Sequence, residues 1–321
     1  MHIHIQNRPH ASFVPVTQDV VDAVAAGSGH VFSLSRDDAG FAAALPTMEV
    51  LATTADQLKA RFPCDAPLLR VVYLLHAGLD ELEGSDLLPP GVLLLNNSGA
   101  HARKAGEFVL MATLMLANGL PGYIAQQRQQ IWQPHFARSL AGLRVTVIGV
   151  GGLGSGVARA MRPLGVRLTG VRNSTLPHPH FDAIMSVSAL DAALETTEVL
   201  VLAAPLTRAT RRMIGTAQLS RLPPQAGIVN IGRGELIDQP ALIRALREGS
   251  IAGAVLDVQE TEPVPQGDPL WEAPNLVVTP HISCSDPDTY GAETLRILLD
   301  NLATMARGET PAYLVDLSRV Y

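Results

Sequence analysis

Short apolar runs alternate with amphipathic stretches along the first hundred residues of the chain. The runs with the character of buried strands are 2–5, 31–33, 48–51, 69–75 and 92–95. Segments with helical spacing of their apolar residues separate these runs, at 16–26, 39–45 and 55–62. Because strands that alternate with helices form parallel sheets covered on both faces, residues 1–100 are predicted to form a small open α/β domain.

A long helix is predicted at 105–118, and a second alternation of strands and helices follows it. This helix is apolar on nearly every side, which indicates either complete burial or a subunit interface. The strand-like runs after it are 145–149, 167–171, 199–203, 227–231, 253–257 and 276–279. The clearest helix among them is 240–248, and segment 173–181, rich in proline and histidine, is predicted to be a surface loop.

The predicted fold class is therefore α/β, with two open parallel-sheet domains. The second domain is expected to occupy residues 101–283, as an insertion between a first domain at 1–100 and a return segment at 284–321. A last helix, at 288–307, is long enough to pack back on the first domain.

Composition narrows the functional classes. The 321 residues, 47% hydrophobic and 17% charged, indicate a folded protein of more than one domain. The net charge of −6, without a Lys/Arg run, argues against nucleic acid as a partner. The longest apolar stretch, 108–117, is too short to span a bilayer, so no membrane partner is expected. Two cysteines, Cys64 and Cys284, and a start without the features of a secretory signal predict a reduced, cytoplasmic protein.

A glycine-rich turn follows the first strand of the second domain. Gly149, Gly151 and Gly154 form a G-x-G-x-x-G pattern between an apolar strand and a helix. In a dinucleotide site the first glycine permits a tight turn, the second lets the backbone approach a pyrophosphate, and the third allows close helix–strand packing. The N–H groups at the start of the helix, at Gly152 and Leu153, would then hold the phosphates. The alternative is a purely structural glycine turn.

The end of the next strand distinguishes between the two nicotinamide cofactors. An NAD site usually carries Asp or Glu about twenty residues after the glycines, where the acid binds the ribose hydroxyls. Here the strand ends in Arg172, Asn173 and Ser174, so a cation replaces the acid. A guanidinium suits a 2′-phosphate, and we therefore predict that NADP is preferred and NAD remains possible. In the alternative, Arg172 points to solvent or stacks on adenine, and NADH remains usable.

Three further segments place charged or titratable groups just beyond the ends of strands. Arg233, Glu262 and His281 follow the strand-like runs that begin at 227, 253 and 276. This edge of an open α/β sheet is where ligands bind. An arginine can bind an anionic group through paired N–H donors, and a histidine can donate or accept a proton near neutral pH. The three segments therefore form a candidate catalytic site.

These segments closely resemble the signatures of the D-isomer-specific 2-hydroxyacid dehydrogenase family. Arg233 matches the arginine of its R-G motif, Glu262 the glutamate of its E-P motif, and His281 the histidine of its T-P-H motif. Further matches are Ala204-Pro205-Leu206-Thr207, Asp257 of an L-D-V segment, and Ala77-Gly78 with Asp80. The resemblance covers nearly the whole chain. It implies a Rossmann NAD(P)-binding domain at 101–283, inserted into a smaller flavodoxin-like substrate domain.

The resemblance implies an NAD(P)H-dependent reductase that converts small 2-keto acids, such as glyoxylate or hydroxypyruvate, into D-2-hydroxy acids. Arg233 would bind the substrate carboxylate and polarise the carbonyl, and His281 would be the general acid. Glu262 would favour the protonated imidazole. Substrate would also contact Ala77 and Gly78. The further residues expected at the cofactor are Ala204, Pro205, Thr210, Ile231, Gly232, Asp257 (at the nicotinamide amide) and Ser283. The resemblance also implies a homodimer packed through helix 105–118, and no metal site is predicted.

Two positions depart from the family pattern, and three rival functions remain. His76 precedes the Ala-Gly pair, and either reaches the substrate carboxylate or caps the end of its strand. After His281, Ile282-Ser283-Cys284 replaces the small-glycine continuation that is commoner in the family, which leaves open whether Ser283 contacts the nicotinamide. Formate oxidation is one rival, although enzymes of that type carry Gln where Glu262 stands. The others are a dinucleotide-sensing regulatory protein, like the corepressors of this superfamily, and a structural relative that binds cofactor without turnover.

Overall fold

The computed structural model describes residues 1–7, 16–79, 82, 87–284 and 286–315. The chain divides into two compact units, Met1–His101 with Ser285–Tyr321, and Ala102–Cys284. Each unit is built on its own sheet of parallel strands. The predicted fold class is therefore confirmed.

The first unit contains five parallel strands: β1 (His2–Gln6), β2 (Val31–Ser35), β3 (Val50–Thr53), β4 (Val71–Leu74) and β5 (Leu93–Leu95). Their order, β2-β1-β3-β4-β5, is the flavodoxin-like order that the family resemblance implies. The helices among them are α1 (Gln18–Ala25), α2 (Asp38–Ala44) and α3 (Ala55–Arg61). Strands β3 and β4 are short and completely buried, which explains why they lack a polar alternation in the sequence.

The last helix of the chain, Tyr290–Ala306, belongs to this first unit. The apolar residues that bury it there are Leu295, Leu298 and Leu302, which share one core with Ile3 and Ile5. A buried amide also fixes it, because Asn97 Nδ2 donates to Thr294 Oγ1 at 2.8 Å. Asn97 Oδ1 in turn accepts from the Tyr73 hydroxyl at 2.6 Å. The helix is thus held by apolar packing and by a satisfied polar network.

The second unit contains seven parallel strands: β6 (Arg144–Ile148), β7 (Arg167–Arg172), β8 (Ala183–Ser186), β9 (Val199–Leu202), β10 (Gly227–Asn230), β11 (Gly253–Leu256) and β12 (Leu276–Val278). Their order is β12-β11-β10-β9-β6-β7-β8, so the direction of winding reverses between β6 and β9. This is the Rossmann order with one added strand. Ligands of open α/β sheets bind at such a reversal, beyond the carboxyl ends of the strands.

Helices cover both faces of this second sheet. They are α4 (Ala102–Ala117), α6 (Gly152–Met161), α7 (Leu190–Leu194), α8 (Thr216–Leu219) and α9 (Gln239–Arg247). Helix α5 (Leu120–Arg128) follows α4 and buries none of its residues. Helices α4 and α6 pack with their backbones almost in contact, because a Cβ on Gly156 would lie 2.0 Å from the carbonyl oxygen of Ala102. The apolar end of α6 therefore forms part of a rigid core behind the glycine-rich turn.

Three features differ from the sequence predictions. Strand β8 was not predicted, because it is a short edge strand of four residues, none of them fully buried, and its apolar run is only three residues long. Helix α5 was not predicted, because its Pro121-Gly122 pair resembles a turn; Pro121 lies in its first turn, where no backbone N–H bond is lost. Helix α4 is not completely buried, since Met111 and Leu114 are exposed on its outer face.

Among the described residues, no single helix is long and apolar enough to cross a bilayer. The bent pair of α4 and α5, with an angle of 61° between them, passes that test jointly by length and composition.

Candidate active site

The glycine-rich turn between β6 and α6 has the geometry of a phosphate cradle. Gly149 has φ +93°, and a Cβ on Gly154 would lie 2.0 Å from the Gly149 carbonyl oxygen, so both positions require glycine. Gly151 differs, because a Cβ there would meet nothing within 4 Å and would point into open space. Among the described residues, no side chain caps α6, whose first turn includes Gly152 and Leu153. The open side at Gly151 and the uncapped N–H groups fit a dinucleotide pyrophosphate.

The two glycines give a test of a nucleotide turn against a purely structural one. Gly154→Ala is expected to lower the unfolding temperature and to abolish NADPH binding, because the methyl group collides with backbone. Gly151→Ala is expected to leave the unfolding temperature near that of the wild type and to weaken NADPH binding at least tenfold. Thermal unfolding and fluorescence titration measure the two effects. NADPH affinity unchanged in Gly151→Ala would support a structural turn.

Arg172 is the last residue of β7, next to the glycine-rich turn in the sheet. Its Nε donates to the carbonyl oxygen of Ser174 at 2.9 Å, and a terminal nitrogen donates to that of Leu176. The guanidinium is therefore tied to the loop that follows β7. Asn173 and Ser174 are exposed in this loop. Segment 173–181 contains neither helix nor strand, which confirms the predicted loop.

Glu262 and His281 form the central pair of the site. His281 Nδ1 lies 2.8 Å from Glu262 Oε2, and the other carboxylate oxygen accepts the backbone N–H of Gln259 at 2.9 Å. A carboxylate accepts only, so this bond assigns a proton to Nδ1 of the ring. The imidazole side chain is 50% exposed, which lets Nε2 serve a ligand at the surface. The pair has the arrangement of an oriented acid–base histidine.

The backbone that carries His281 is held by Asp257. The Asp257 carboxylate has no exposed surface; it accepts the N–H groups of Ile282 at 2.9 Å and Ser283 at 2.8 Å. It also accepts the Thr279 hydroxyl at 2.6 Å. These bonds stabilise a loop in which His281 adopts φ +54°, an uncommon conformation for this residue. The Asp257 carboxylate would have to become accessible before it could contact the nicotinamide. Its role at the cofactor stays a prediction.

Arg233 lies in the loop after β10, and its position depends on two neighbours. Buried Asn230 donates through Nδ2 to the Arg233 carbonyl oxygen at 2.8 Å, and its Oδ1 accepts from the N–H of Gly232 at 3.1 Å. A Cβ on Gly234 would lie 1.9 Å from the carbonyl carbon of Gln259, so the R-G loop contacts the loop that holds Glu262. The backbones that carry Arg233 and the Glu262–His281 pair are thus joined at one sheet edge.

Asn230, Gly234 and Gln259 are positioning residues that the sequence analysis did not single out. The buried Gln259 side chain donates to the carbonyl oxygens of Leu256 at 3.1 Å and Thr279 at 3.2 Å, which links the ends of β11 and β12. The available signal is a polar residue directly at, or shortly after, the end of an apolar strand. Asn230 and Gln259 both satisfy it.

Six of the predicted cofactor residues lie in or behind the neighbouring loops. Ala204 and Gly232 lie side by side, because a Cβ on Gly232 would be 2.8 Å from the Ala204 carbonyl oxygen. Thr210 folds the loop after β9, since its hydroxyl donates to the Pro205 carbonyl oxygen at 2.7 Å. Ile231 and Ser283 are buried behind this surface. Their contacts with a cofactor stay predictions.

The substrate residues expected in the first unit follow β4. His76 Nε2 accepts the backbone N–H of Ala55 at 2.9 Å, so the ring caps the first turn of α3 rather than the end of a strand. The Ala77 carbonyl oxygen accepts from Asn96 Nδ2 at 3.3 Å. Gly78 is half-buried, and Asp80 lies outside the described residues. The substrate roles of His76, Ala77 and Gly78 stay predictions.

Comparisons with known proteins agree with this geometry. Residues 110–283 match the family described as "D-isomer specific 2-hydroxyacid dehydrogenase, NAD binding domain". A glyoxylate reductase of Korarchaeum cryptofilum is 32% identical over 259 residues, which cover 78% of this chain and 77% of the relative. Glyoxylate/hydroxypyruvate reductase A of Klebsiella pneumoniae (strain 342) is 29% identical over 260 residues, with coverage of 79% and 82%.

A solved structure of a 2-hydroxyacid dehydrogenase is similar to this protein over the whole chain. The D-isomer specific 2-hydroxyacid dehydrogenase from Xanthobacter autotrophicus Py2, in complex with NADPH and MES, has a TM-score of 0.83 at 28% identity. The match covers 100% of this chain and 99% of that one. The chain therefore belongs to the D-isomer-specific 2-hydroxyacid dehydrogenase family, whose members are NAD(P)-dependent 2-hydroxyacid oxidoreductases.

Proposed function

We propose that this enzyme uses NADPH to reduce small 2-keto acids of the glyoxylate and hydroxypyruvate type to 2-hydroxy acids. The observation that carries the proposal is the Glu262–His281 pair, 2.8 Å apart at the sheet edge where the glycine-rich turn opens. The substrate class is supported by relatives named glyoxylate reductase and glyoxylate/hydroxypyruvate reductase. A corepressor-like regulatory relative would keep the fold and the same three residues, so turnover of a keto acid is the observation that separates the proposed enzyme from it.

In the proposed reaction His281 delivers a proton to the substrate oxygen. Its Nδ1–H donates to Glu262, which leaves Nε2 to hold the proton that passes to the carbonyl oxygen as the alkoxide develops. The Glu262 carboxylate stabilises positive charge on the ring before that transfer. NADPH, when bound, supplies the hydride. In the reverse direction the same nitrogen removes the hydroxyl proton.

Arg233 binds the other end of the substrate. A guanidinium can hold a carboxylate through two parallel N–H bonds, and its charge also polarises an adjacent carbonyl. The Asn230 brace and the Gly234–Gln259 contact fix the backbone at this position before substrate arrives. Such preorganisation orients the carbonyl carbon for hydride transfer without a further rearrangement.

The proposed preference for NADPH depends on Arg172. Segment 172–181 contains no acidic residue, so nothing in it repels a 2′-phosphate. The relative of known structure from Xanthobacter autotrophicus Py2 was crystallised with NADPH. A charge-assisted contact of about 1.5–3 kcal/mol corresponds to a preference of roughly ten- to hundredfold in kcat/KM.

Arg172→Asp is therefore expected to reverse the cofactor preference. The new carboxylate repels the 2′-phosphate and accepts hydrogen bonds from the ribose hydroxyls of NADH. The measurement is kcat/KM for both cofactors in the wild type and the variant, with Arg247→Asp, on the exposed end of α9, as the charge control. A wild type that favours NADH, or a ratio that Arg172→Asp leaves unchanged, would refute the assignment.

A panel of keto acids tests the proposed substrate class. Glyoxylate, hydroxypyruvate, pyruvate and 2-ketoisocaproate are each mixed with NADPH or NADH, and the loss of reduced-cofactor absorbance is followed. We expect the highest kcat/KM for glyoxylate or hydroxypyruvate. Preference for the branched acid would assign a different substrate class to the same site.

We also propose that the protein is a homodimer; a cytoplasmic location stays a prediction. Seven exposed apolar side chains, defined here as the dimer patch, lie on α4, on α5 and in the segment after it: Met111, Leu114, Leu120, Ile124, Ile131, Trp132 and Phe136. Trp132 is 97% exposed and Phe136 91% exposed. Apolar surface of this extent is typical of an interface, and a two-fold axis would bury the same patch on both copies.

Trp132→Ser combined with Leu114→Glu is expected to convert this dimer into a monomer of 34.1 kDa. The changes remove an apolar anchor and place a charge in the patch. Light scattering after size-exclusion chromatography measures the mass. The control is Trp271→Ser, since Trp271 is the other tryptophan and is also exposed. A monomeric wild type would contradict the proposal.

A further inference from the structure

The loop after β7 carries two histidines that the proposed reaction does not use. His178 and His180 flank Pro179, and their rings lie 5.6 Å apart between centroids. His178 is half-buried, with Nε2 3.2 Å from the hydroxyl oxygen of Ser155 in α6. Its Nδ1 accepts the backbone N–H of His180 at 3.3 Å. Ser155 directly follows Gly154, so this contact ties the loop to the start of the nucleotide-binding helix.

The hydrogen bonds of His178 correspond to a neutral ring. Nδ1 serves as an acceptor, so the single proton of the neutral form resides on Nε2 and is donated to Ser155. If Nδ1 were protonated, its N–H would point at the backbone N–H of His180. The hydrogen bond of 3.3 Å between them would then be lost. A charged His178 therefore requires an anion that compensates for this loss.

The charged surroundings of His178 are cationic. Burial lowers the pKa of His178 most, and His180 and then Arg172 lower the pKa further. From α6 the contacting group is the neutral Ser155 hydroxyl, and among the described residues no carboxylate contributes to the shift. The Arg172 guanidinium acts from within the same loop, through its bonds to Ser174 and Leu176. The segment thus gathers positive charge with no acidic partner in it.

We propose that His178 is a second specificity residue for the adenosine 2′-phosphate, beside Arg172, and that it takes up a proton when NADPH binds. The inference rests on the NADPH preference proposed above. A 2′-phosphate brings between one and two negative charges at neutral pH, about −1.5 to −2. This charge offsets the repulsion between Arg172 and a protonated ring, and it stabilises the imidazolium. NADH carries no such phosphate, so its binding leaves His178 neutral.

The expected consequence is that acidity strengthens NADPH binding selectively. Uptake of about half a proton near pH 7 would tighten NADPH binding roughly threefold per unit fall in pH. The affinity for NADH should change little through His178. The phosphate itself titrates near pH 6 and works in the opposite direction, because protonation lowers its charge. The difference in the pH dependence of NADPH affinity between the wild type and a His178 variant gives the contribution of the histidine alone.

Isothermal titration calorimetry of NADPH and NADH tests the proposal without turnover. Titrations at pH 7 in MOPS and in Tris give the number of protons taken up, because the two buffers differ in ionisation enthalpy and neither contains phosphate. His178→Gln keeps an amide for Ser155 but does not titrate, and His180→Gln is the matched control in the same loop. We expect proton uptake with NADPH in the wild type and in His180→Gln, no uptake with NADH, and loss of uptake in His178→Gln.

Two results would overturn the role of His178. One is that the wild type and His178→Gln take up the same number of protons when NADPH binds. The other is that His178→Gln weakens NADPH and NADH binding equally, because an equal loss would indicate a structural role for His178. Unchanged NADH affinity shows that His178→Gln is folded. If the wild type binds both cofactors equally, the NADPH preference itself fails and His178 with it. If keto acids are not reduced although the proton count changes as expected, only the proposed reaction fails.

Discussion

Replacing His281 with alanine is expected to lower kcat for keto-acid reduction by about 10²–10⁴-fold, the usual contribution of a general acid. The side chain is half-exposed and bonded to Glu262, so its loss removes the proton donor without opening the core. The unfolding temperature should stay near that of the wild type. Steady-state kinetics with glyoxylate and thermal unfolding give both values.

Because the backbone of His281 is left-handed, an alanine there could also strain the loop, and a second variant is needed as a control. Alanine tolerates φ +54° less well than asparagine, so His281→Asn separates loss of the acid from loop strain. Both variants should lose activity to a similar extent. Wild-type turnover in His281→Asn would remove His281 from the mechanism.

Glu262→Gln provides a finer comparison at the same pair. The amide oxygen can still accept from Nδ1 of His281, but the negative charge is lost. Activity should fall less than in His281→Ala, because the amide still orients the ring but no longer stabilises its positive charge. Activity equal to that of the wild type would count against electrostatic coupling of the pair.

The second large effect is expected at Arg233. Arg233→Lys keeps the charge but loses the planar pair of N–H donors, so kcat/KM should fall by about 10²–10³-fold. Cofactor affinity should change little, since Arg233 is assigned to the substrate. The measurements are kcat/KM for glyoxylate and the Kd of NADPH.

The control for Arg233→Lys is Arg247→Lys, at the exposed end of α9. It should keep the kinetics of the wild type. A large loss of NADPH affinity in Arg233→Lys, with KM for the keto acid unchanged, would assign Arg233 to the cofactor instead.

The sequence predicted most of the second unit because its signals are local. The turn at Gly149–Gly154 and the apolar strands each depend on a few consecutive residues, and the structure has them within one or two positions. Glu262 and His281 were predicted as a pair through the family motifs, and the structure brings their side chains to 2.8 Å. Spacing along the chain alone would not give that distance, since 19 residues separate them.

What the sequence did not predict depends on contacts between distant segments. Gly234 resembles any loop glycine until the Gln259 backbone is seen to occupy the space of its Cβ. Asp257 was expected at the cofactor, yet its carboxylate bonds the N–H groups of Ile282 and Ser283, 25 and 26 residues later. His178 lacked any signal, because its partner Ser155 lies on another element. These roles emerge only once parallel strands bring their loops to one edge.

The most direct test of the account is the chirality of the product formed from hydroxypyruvate. The enzyme is incubated with hydroxypyruvate and NADPH, and the glycerate is resolved by chiral chromatography against both enantiomers. The account predicts that NADPH is consumed in equal amount with the glycerate formed, and that the product is D-glycerate. L-Glycerate as the product, or NADPH left unconsumed while the protein is folded and binds the cofactor, would contradict it.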